Sequence, residues 1–352
     1  MKIITPEIVK NKKVLIRLDL DVPIENNQVI DLNRLSSVIP TLEILNDASQ
    51  IIIIGHLGRP NGQIVEELRM TPIATALTQY IGSTMNYIQS VDINDIKKSL
   101  SENNKWNLLE NIRFNPQEEQ NNFDFSKQLA SLGQIFVFEA FATSHRAAAS
   151  TVGITSYLPS YAGLRVAKEI QVLSQVLNNP EHPFLAIIGG SKIETKIPVI
   201  ENLLNKADFI YVGGKLIKEI NDKNIKFSDK VHIGKTTPDG LDITPESQQQ
   251  VIDLINQAKL IVWNGPPGKF EDQNSQEGTK VIAQAIANSN AYKIIGGGET
   301  NEAVKLFNVQ DKFDFISVGG GAMLEFLSGK ELPALQTLNK EIEGESIYET
   351  SN

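Results

Sequence analysis

The chain has 352 residues, with 42 acidic against 33 basic side chains (net −9), 41% hydrophobic residues and no cysteine. Its size and apolar content exclude a disordered or collagen-like chain, and the lack of cysteine excludes disulfides, thiolate metal sites and a cysteine nucleophile. An acidic total speaks against nucleic acid as a partner, yet leaves small anions open, since a few well-placed cations suffice for those.

The first twenty residues, MKIITPEIVKNKKVLIRLDL, lack the apolar run and cleavage pattern of a secretory signal. No stretch approaches the ~18 consecutive apolar residues of a membrane span. A soluble, cytoplasmic protein is expected. Along the chain, short apolar runs recur at Val14–Leu20, Ile51–Ile54, Ile135–Phe138, Phe184–Ile188, Phe209–Val212, Leu260–Trp263, Lys293–Ile295 and Phe315–Val318. Each is followed by a charged or glycine-rich turn and then a helix-period segment, the pattern of parallel strands covered on both faces. The predicted fold is α/β, with two doubly wound parallel-sheet domains joined by a helix and hinge. After Pro159 a helical pattern over Tyr161–Leu177 ends at Asn178, Asn179 and Pro180. The expected division is therefore residues 1–160, a connector at 161–182, a second domain at 183–335 and a polar tail at 336–352.

In open parallel sheets, ligands bind beyond the carboxyl ends of the strands. In the first half those ends are charged. Asp19 and Asp21 share one face of the strand end by period-2 spacing. Arg34 follows, then His56 and Arg59 in GHLGRP, Arg113 in LLENIRF, and His145 with Arg146 in TSHRAAAS. Any one of these arginines is ordinarily solvated or ion-paired, and either histidine or aspartate can be structural. As a set they suggest a basic basket for a small anion. In the second half the strand ends are glycine-rich: AIIGGSKIETK, YVGGK, VWNGPPGKFE, IIGGGET and SVGGGAM. Glycines there let backbone N–H groups approach phosphate oxygens beside a helix N-terminus. Lys192 and Lys196, four apart, are expected on one helix face toward a phosphate chain, although a solvated face paired with Glu194 or Glu201 is the commoner arrangement.

Familiar nucleotide signatures fail. IGKTT ends like a P-loop, but the motif needs glycine at position 229, where this chain has Asp229. The dinucleotide pattern fails at Asn301 and at Leu324, and with four histidines and no cysteine a transition-metal site is not expected.

Taken together, VLIRLDLDVP, GHLGRP, LLENIRF, SHRAAAS, IIGGSKIETKI, WNGPPGKFE, IIGGGET and ISVGGGAMLEFLSGKELP resemble phosphoglycerate kinase in order and approximate spacing, from about Lys13 to Leu335. The resemblance implies reversible phosphoryl transfer between ATP and the carboxylate of 3-phosphoglycerate, giving ADP and 1,3-bisphosphoglycerate. It implies a first domain that binds phosphoglycerate, a second that binds the Mg²⁺ complex of ATP or ADP, closure by a hinge, small-molecule partners only, and a monomer. Carried over by motif, Asp19, Leu20 and Asp21 meet the glycerate end, and Arg34, His56, Leu57, Gly58, Arg59, Arg113 and Arg146 surround phosphate and carboxylate. Lys192 and Lys196 meet the nucleotide phosphates, Asn264 and Glu271 lie near the nucleotide, and Gly297, Gly298, Glu299 and Thr300 form the phosphate and magnesium end. Arg34, Lys192 and Lys196 are the expected catalytic residues, and Glu299 the expected Mg²⁺ ligand.

The chain departs from that family's usual pattern at Asp21 (usually Asn), Phe138 and Glu139 (Asn-Asp), Ala142 (Gly), Ala148 (His), Thr195 (Asp), Lys215 (Gly) and Glu299 (Asp). A helix and a strand between Leu216 and Trp263 are expected to be missing, which makes the chain a divergent, shortened member. The alternative is a catalytically weakened paralogue that binds phosphoglycerate or acts as a regulator. An NAD-dependent oxidoreductase is disfavoured by the failed dinucleotide pattern.

Overall fold

The computed structural model describes residues 1–100 and 104–338. The chain forms two compact units, one of Met1–Ile170 with the described residues from Glu331 on, the other of Gln171–Lys330. The first unit holds β1 (Lys13–Leu18), a hairpin of β2 (Ile24–Glu25) and β3 (Gln28–Val29), then β4 (Gln50–Ile54), β5 (Met85–Ile88), β6 (Trp106–Leu109), β7 (Ile135–Glu139) and β8 (Ser160–Ala162). The hairpin turns on Asn26 and Asn27, both at positive φ, the backbone that suits a two-residue hairpin turn. The large sheet runs β5-β6-β4-β1-β7-β8, and all of its pairs are parallel.

The second unit holds β9 (Phe184–Ile188), β10 (Phe209–Val212), β11 (Val231–Ile233), β12 (Leu260–Asn264), β13 (Tyr292–Gly296) and β14 (Phe315–Ser317). Its order is β11-β10-β9-β12-β13-β14, again parallel throughout. Counted within the unit this is 3-2-1-4-5-6, the doubly wound order, which reverses direction between β9 and β12. The central strands β1, β4, β9 and β12 are buried along almost their whole length. Each fully buried aliphatic there contributes roughly 1.5–3 kcal/mol.

In the two large sheets, the strands that the apolar runs did not reveal are β5, β6, β8 and β11. In β6 the run is broken by Asn107, which is fully buried and donates its side-chain amide to the carbonyls of Ile51 and Asn104. The others lie at or next to a sheet edge, where half-burial removes the apolar signature. Because Ser160–Ala162 pairs with β7, the connecting helix starts at Leu164 rather than at Tyr161, and it ends at Asn178. Between Leu216 and Trp263 the chain forms helix Leu216–Asp222, strand β11 and helix Pro245–Gln257. Leu335 and Leu338, on and just after helix Pro333–Thr337, are buried, and Ala334 N–H donates to the Ser144 carbonyl at 3.1 Å, docking this segment on the first unit. The rest of the expected tail, 339–352, lies outside the described residues. Among the described residues, no helix is long and apolar enough to cross a membrane.

Glu139, at the end of β7, is 2% exposed and holds the start of the connecting helix. Its carboxylate accepts from the N–H groups of Arg165 (2.9 Å) and Val166 (3.0 Å) and from the Thr41 hydroxyl, while Thr41 Oγ1 accepts from Leu164 N–H. These bonds satisfy helix-terminal donors that would otherwise lack partners. Burial outweighs them and pushes the Glu139 carboxyl up to about 7 from an ordinary 4.5. Between those values the folded state holds a proton that the unfolded chain has released, so stability falls as pH rises through that window. Glu139→Gln is expected to flatten the decline. Thermal midpoints of both proteins at pH 5 and pH 7.5 check it; equal declines in the two would contradict the assignment.

Candidate functional site

The first unit gathers its charges at the carboxyl end of β1. Arg17, the penultimate residue of that strand, is 1% exposed. Its Nη2 donates to His56 Nδ1 at 2.9 Å, while its Nε and Nη1 are buried with no partner among the described residues. Beside it lies a cavity of about 230 Å³ lined by Arg17, Arg113, Arg146, Thr143, Thr151 and the pair Glu118 and Glu119. Arg113 Nη1 donates to the Gly58 carbonyl at 2.9 Å and its Nε faces Glu119 at 3.3 Å. Glu118 is buried and accepts from the N–H and the hydroxyl of Ser150 at 2.9 and 2.6 Å.

An arginine can only donate, so Nδ1 of His56 is the acceptor and the proton of the neutral ring sits on Nε2. Burial, with Arg17, Arg113, Arg146 and Arg34 around it, holds the His56 pKa well below 6.5. The imidazole is therefore a neutral linker in a cationic cluster. Burial also pushes the Glu118 carboxyl up against the pull of Arg17, which weakens it as a counter-charge. Three arginines around a cavity, one with two unpartnered buried nitrogens, make a site for a multivalent anion.

Of the residues expected from the sequence, Arg113 and Arg146 line this cavity and His56 touches it through Arg17. Asp19 is buried, accepts from Ala142 N–H at 2.7 Å and is pushed up to about 6 by burial. Asp21 accepts from Gly58 N–H, and its carbonyl accepts from Arg34 Nη1. Leu20 and Leu57 are buried apolar residues. Gly58 has φ +62, and the 56–59 turn depends on that backbone. Arg59 is exposed and does not line the cavity. His145 accepts from Arg146 Nε at 3.2 Å. Arg17 was not among the candidates, although its period-2 relation to Asp19 and Asp21 was a visible signal.

In the second unit two glycine turns meet where the strand order reverses. Gly189 N–H donates to the Asn264 carbonyl and Gly190 N–H to that of Pro266. A Cβ on Gly189 would lie 2.4 Å from the Gly265 carbonyl oxygen, so the close approach requires glycine. Lys196, 6% exposed, donates to Asn264 Oδ1. Burial lowers its pKa to about 8 against the opposing pull of Glu299. The Gly265 N–H donates to Thr300 Oγ1 at 2.8 Å, and helix Gly298–Leu306 starts after Gly297. A cavity of about 200 Å³ opens here between Gly190, Gly214, Leu241, Pro266, Glu271 and Glu299, with Lys215 and Lys269 also on its wall.

Lys192 differs from expectation. The helix spans Ile193–Leu203, so Lys192 precedes it as an exposed N-cap while Lys196 is buried in its first turns. The two lysines therefore do not share a helix face. The P-loop-like IGKTT is no phosphate loop either: Thr236 bridges antiparallel to Ile243, and Lys235 pairs with Glu246 at 3.2 Å.

The phosphoglycerate kinase family model matches residues 4–226 and 216–330. The chain belongs to the phosphoglycerate kinase family. It is 34% identical to the phosphoglycerate kinase of Coxiella burnetii, covering 94% of this chain and 96% of that one with a TM-score of 0.80. Against the enzyme from Pyrococcus horikoshii OT3 it is 26% identical with a TM-score of 0.79 at the same coverages. As a phosphoglycerate kinase by family, the chain is a phosphotransferase of glycolysis.

Arg17→Met removes the buried guanidinium at similar side-chain volume. It should weaken binding of inorganic phosphate, a minimal multivalent anion, measured by calorimetry, by about tenfold or more while the thermal midpoint changes little, because two unpartnered buried nitrogens leave with the charge. Unchanged binding with a large loss of stability would make Arg17 purely structural.

Proposed function

We propose that the protein reversibly transfers the terminal phosphoryl group of ATP to the carboxylate of 3-phosphoglycerate, giving ADP and 1,3-bisphosphoglycerate. The observation that carries this reading is Arg17, buried beside the arginine-lined cavity with two nitrogens unpartnered. A phosphate monoester presents three acceptor oxygens to match such donors. Arg17, Arg113 and Arg146 take the phosphate of the glycerate, with His56 steadying Arg17. Asp19 and Arg34 take the glycerate end.

The acceptor carboxylate is ionised at neutral pH, so the chemistry needs no general base. One carboxylate oxygen forms the new bond to phosphorus as the bond from phosphorus to the ADP oxygen breaks. What opposes the step is repulsion between anions and the cost of alignment, which positioning and fixed cations offset. Lys196, held on Asn264, and Arg34 are placed by this reading on the transferring group, and Lys192 on the outer phosphates. Gly297, Gly298 and Thr300 supply a helix N-terminus for phosphate oxygens, and Glu271, on the cavity wall, lies near the nucleotide in this reading.

Among the described residues no cluster of three or more acidic, histidine or cysteine side chains exists to hold a metal. Glu299, exposed at that helix start, fits a magnesium ion that shares its remaining ligands with nucleotide phosphates. Bound there, the ion would supply further neutralisation of phosphate charge. The family reading also has the protein act as a cytoplasmic monomer on small molecules.

A coupled assay with Mg²⁺, 3-phosphoglycerate and each of ATP, GTP and ITP tests the proposal, with turnover on ATP expected. Phosphoglycerate binding without turnover in folded protein would support a binding role instead. Lys196→Ala should lower kcat by tenfold or more with a smaller change in KM, since its charge matters most in the transition state. Loss confined to KM would assign Lys196 to ground-state binding.

A further inference from the structure

The cavity of the second unit is chemically uneven. On one side a Cβ on Gly190 would lie 3.9 Å from Glu299 Oε2 and 4.0 Å from Lys196 Cε, and helix Gly298–Leu306 begins there. That side suits phosphates. Elsewhere Leu241 and Pro267 give the wall apolar faces, and Gly240 and Gly268 give it bare backbone. Lys269 is fixed to this part, because its N–H donates to the Leu241 carbonyl at 2.8 Å. Asp242, next to Leu241, accepts from the N–H groups of Ile243 and Gly278, both at 2.8 Å, and so ties the segment down. Lys215 joins the same wall from the turn after β10, where a Cβ on Gly213 would lie 2.7 Å from Pro267 Cβ. Among the described residues, no ion pair or hydrogen bond engages either ammonium, whereas Lys223 and Lys235 pair with Glu194 and Glu246.

We propose that Lys215 and Lys269 determine which base this cavity takes, selecting a 6-oxopurine, guanine or hypoxanthine, over adenine. The proposal rests on reading the cavity as the nucleotide site and narrows the class of nucleotide. A lysine ammonium can only donate hydrogen bonds. Along one edge a 6-oxopurine sets two acceptors side by side, O6 and N7, where adenine has N7 beside an amino group that itself donates. A lysine at that edge gains two acceptors from the first base and meets an opposing donor on the second. Ribose and phosphates are common to all these nucleotides, so positive charge alone does not discriminate among them; the direction of the hydrogen bonds does. The carboxylate of Glu271, also on the wall, serves either purine, through the N1–H of one or the amino group of the other, and so does not decide. Phosphoryl transfer is unchanged, and ATP remains a substrate that is bound less well.

The test is calorimetry of the full chain with Mg²⁺ and each of ADP, GDP and IDP. It compares wild type with Lys215→Met, Lys269→Met and the double variant, which keep side-chain length and remove the charge. Both lysines are exposed, so thermal midpoints should change little. Wild type should bind GDP and IDP about tenfold more tightly than ADP. Each single replacement should reduce that ratio and the double variant should abolish it, with ADP affinity changing by less than about threefold. The proposal is overturned if wild type binds ADP as tightly as the other two, or if the double variant keeps the ratio. It is equally overturned if the variants weaken all three nucleotides alike, which would assign the lysines to the phosphates. A preference for GDP that IDP does not share would assign selection to the 2-amino group and overturn it too. Wild type that binds none of the three overturns the nucleotide reading together with the proposal, whereas tight ADP binding without the expected ratio overturns the proposal alone.

Discussion

Parallel pairing throughout both sheets is the constraint on which the rest of the structure depends. Because every strand runs the same way, every strand-to-helix turn falls on one edge of its sheet, and residues far apart in sequence arrive there together. Arg17 lies near the end of β1, and His56, Arg113 and Arg146 follow β4, β6 and β7, yet all four surround one cavity or touch a residue that does. In the second unit the turns after β9 and β12 interlock so closely that the Gly189 and Gly265 backbones leave no space for a side chain. That edge gathers arginines in one unit and glycine turns with lysines and glutamates in the other.

Burying charge at such an edge costs stability, and the structure shows how the cost is contained. Among the described residues Arg17 keeps one bond, to a neutral histidine, and two of its nitrogens have no partner. Glu118 and Asp19 lie close enough to act on it electrostatically, although burial raises both carboxyls toward their neutral forms. A guanidinium so under-supplied is poorly explained by folding alone, because an apolar residue of similar volume there would be as stable or more so. It is well explained by a ligand that completes its hydrogen bonds. Glu139 is the contrast. It is as deeply buried, but backbone N–H groups and a hydroxyl satisfy it, and its task is to start a helix.

Much of the architecture was legible in the chain. Fully buried strands such as Ile51–Ile54 and Phe184–Ile188 read as continuous apolar runs because both faces are covered. Strands with polar or half-exposed residues did not. Asn107 hides β6 because its amide finds partners that arrive only with the fold, donating to the Ile51 carbonyl and accepting from Asn86 Nδ2. Arg113 and Arg146 were legible only as members of a set of cations just beyond strand ends, and both line one cavity. Arg17 was not, because an arginine inside a strand reads as solvent-facing until burial is known. The pairing of Lys192 with Lys196 failed for a local reason: the helix begins one residue after Lys192, so four-residue spacing no longer implies a shared face.

By itself the sequence determined the class of fold, the alternation of strands and helices, the charged and glycine-rich character of the two sets of turns, and through its motifs the family. These follow from periodicity and residue type, which are local. Only the tertiary structure decided which cations converge, which are buried and which partners they lack. It set Arg59 outside the cavity, Arg17 within it, and Asp21 against Gly58 and His56. Those outcomes depend on strand order and on desolvation, properties of segments dozens of residues apart that no local pattern encodes.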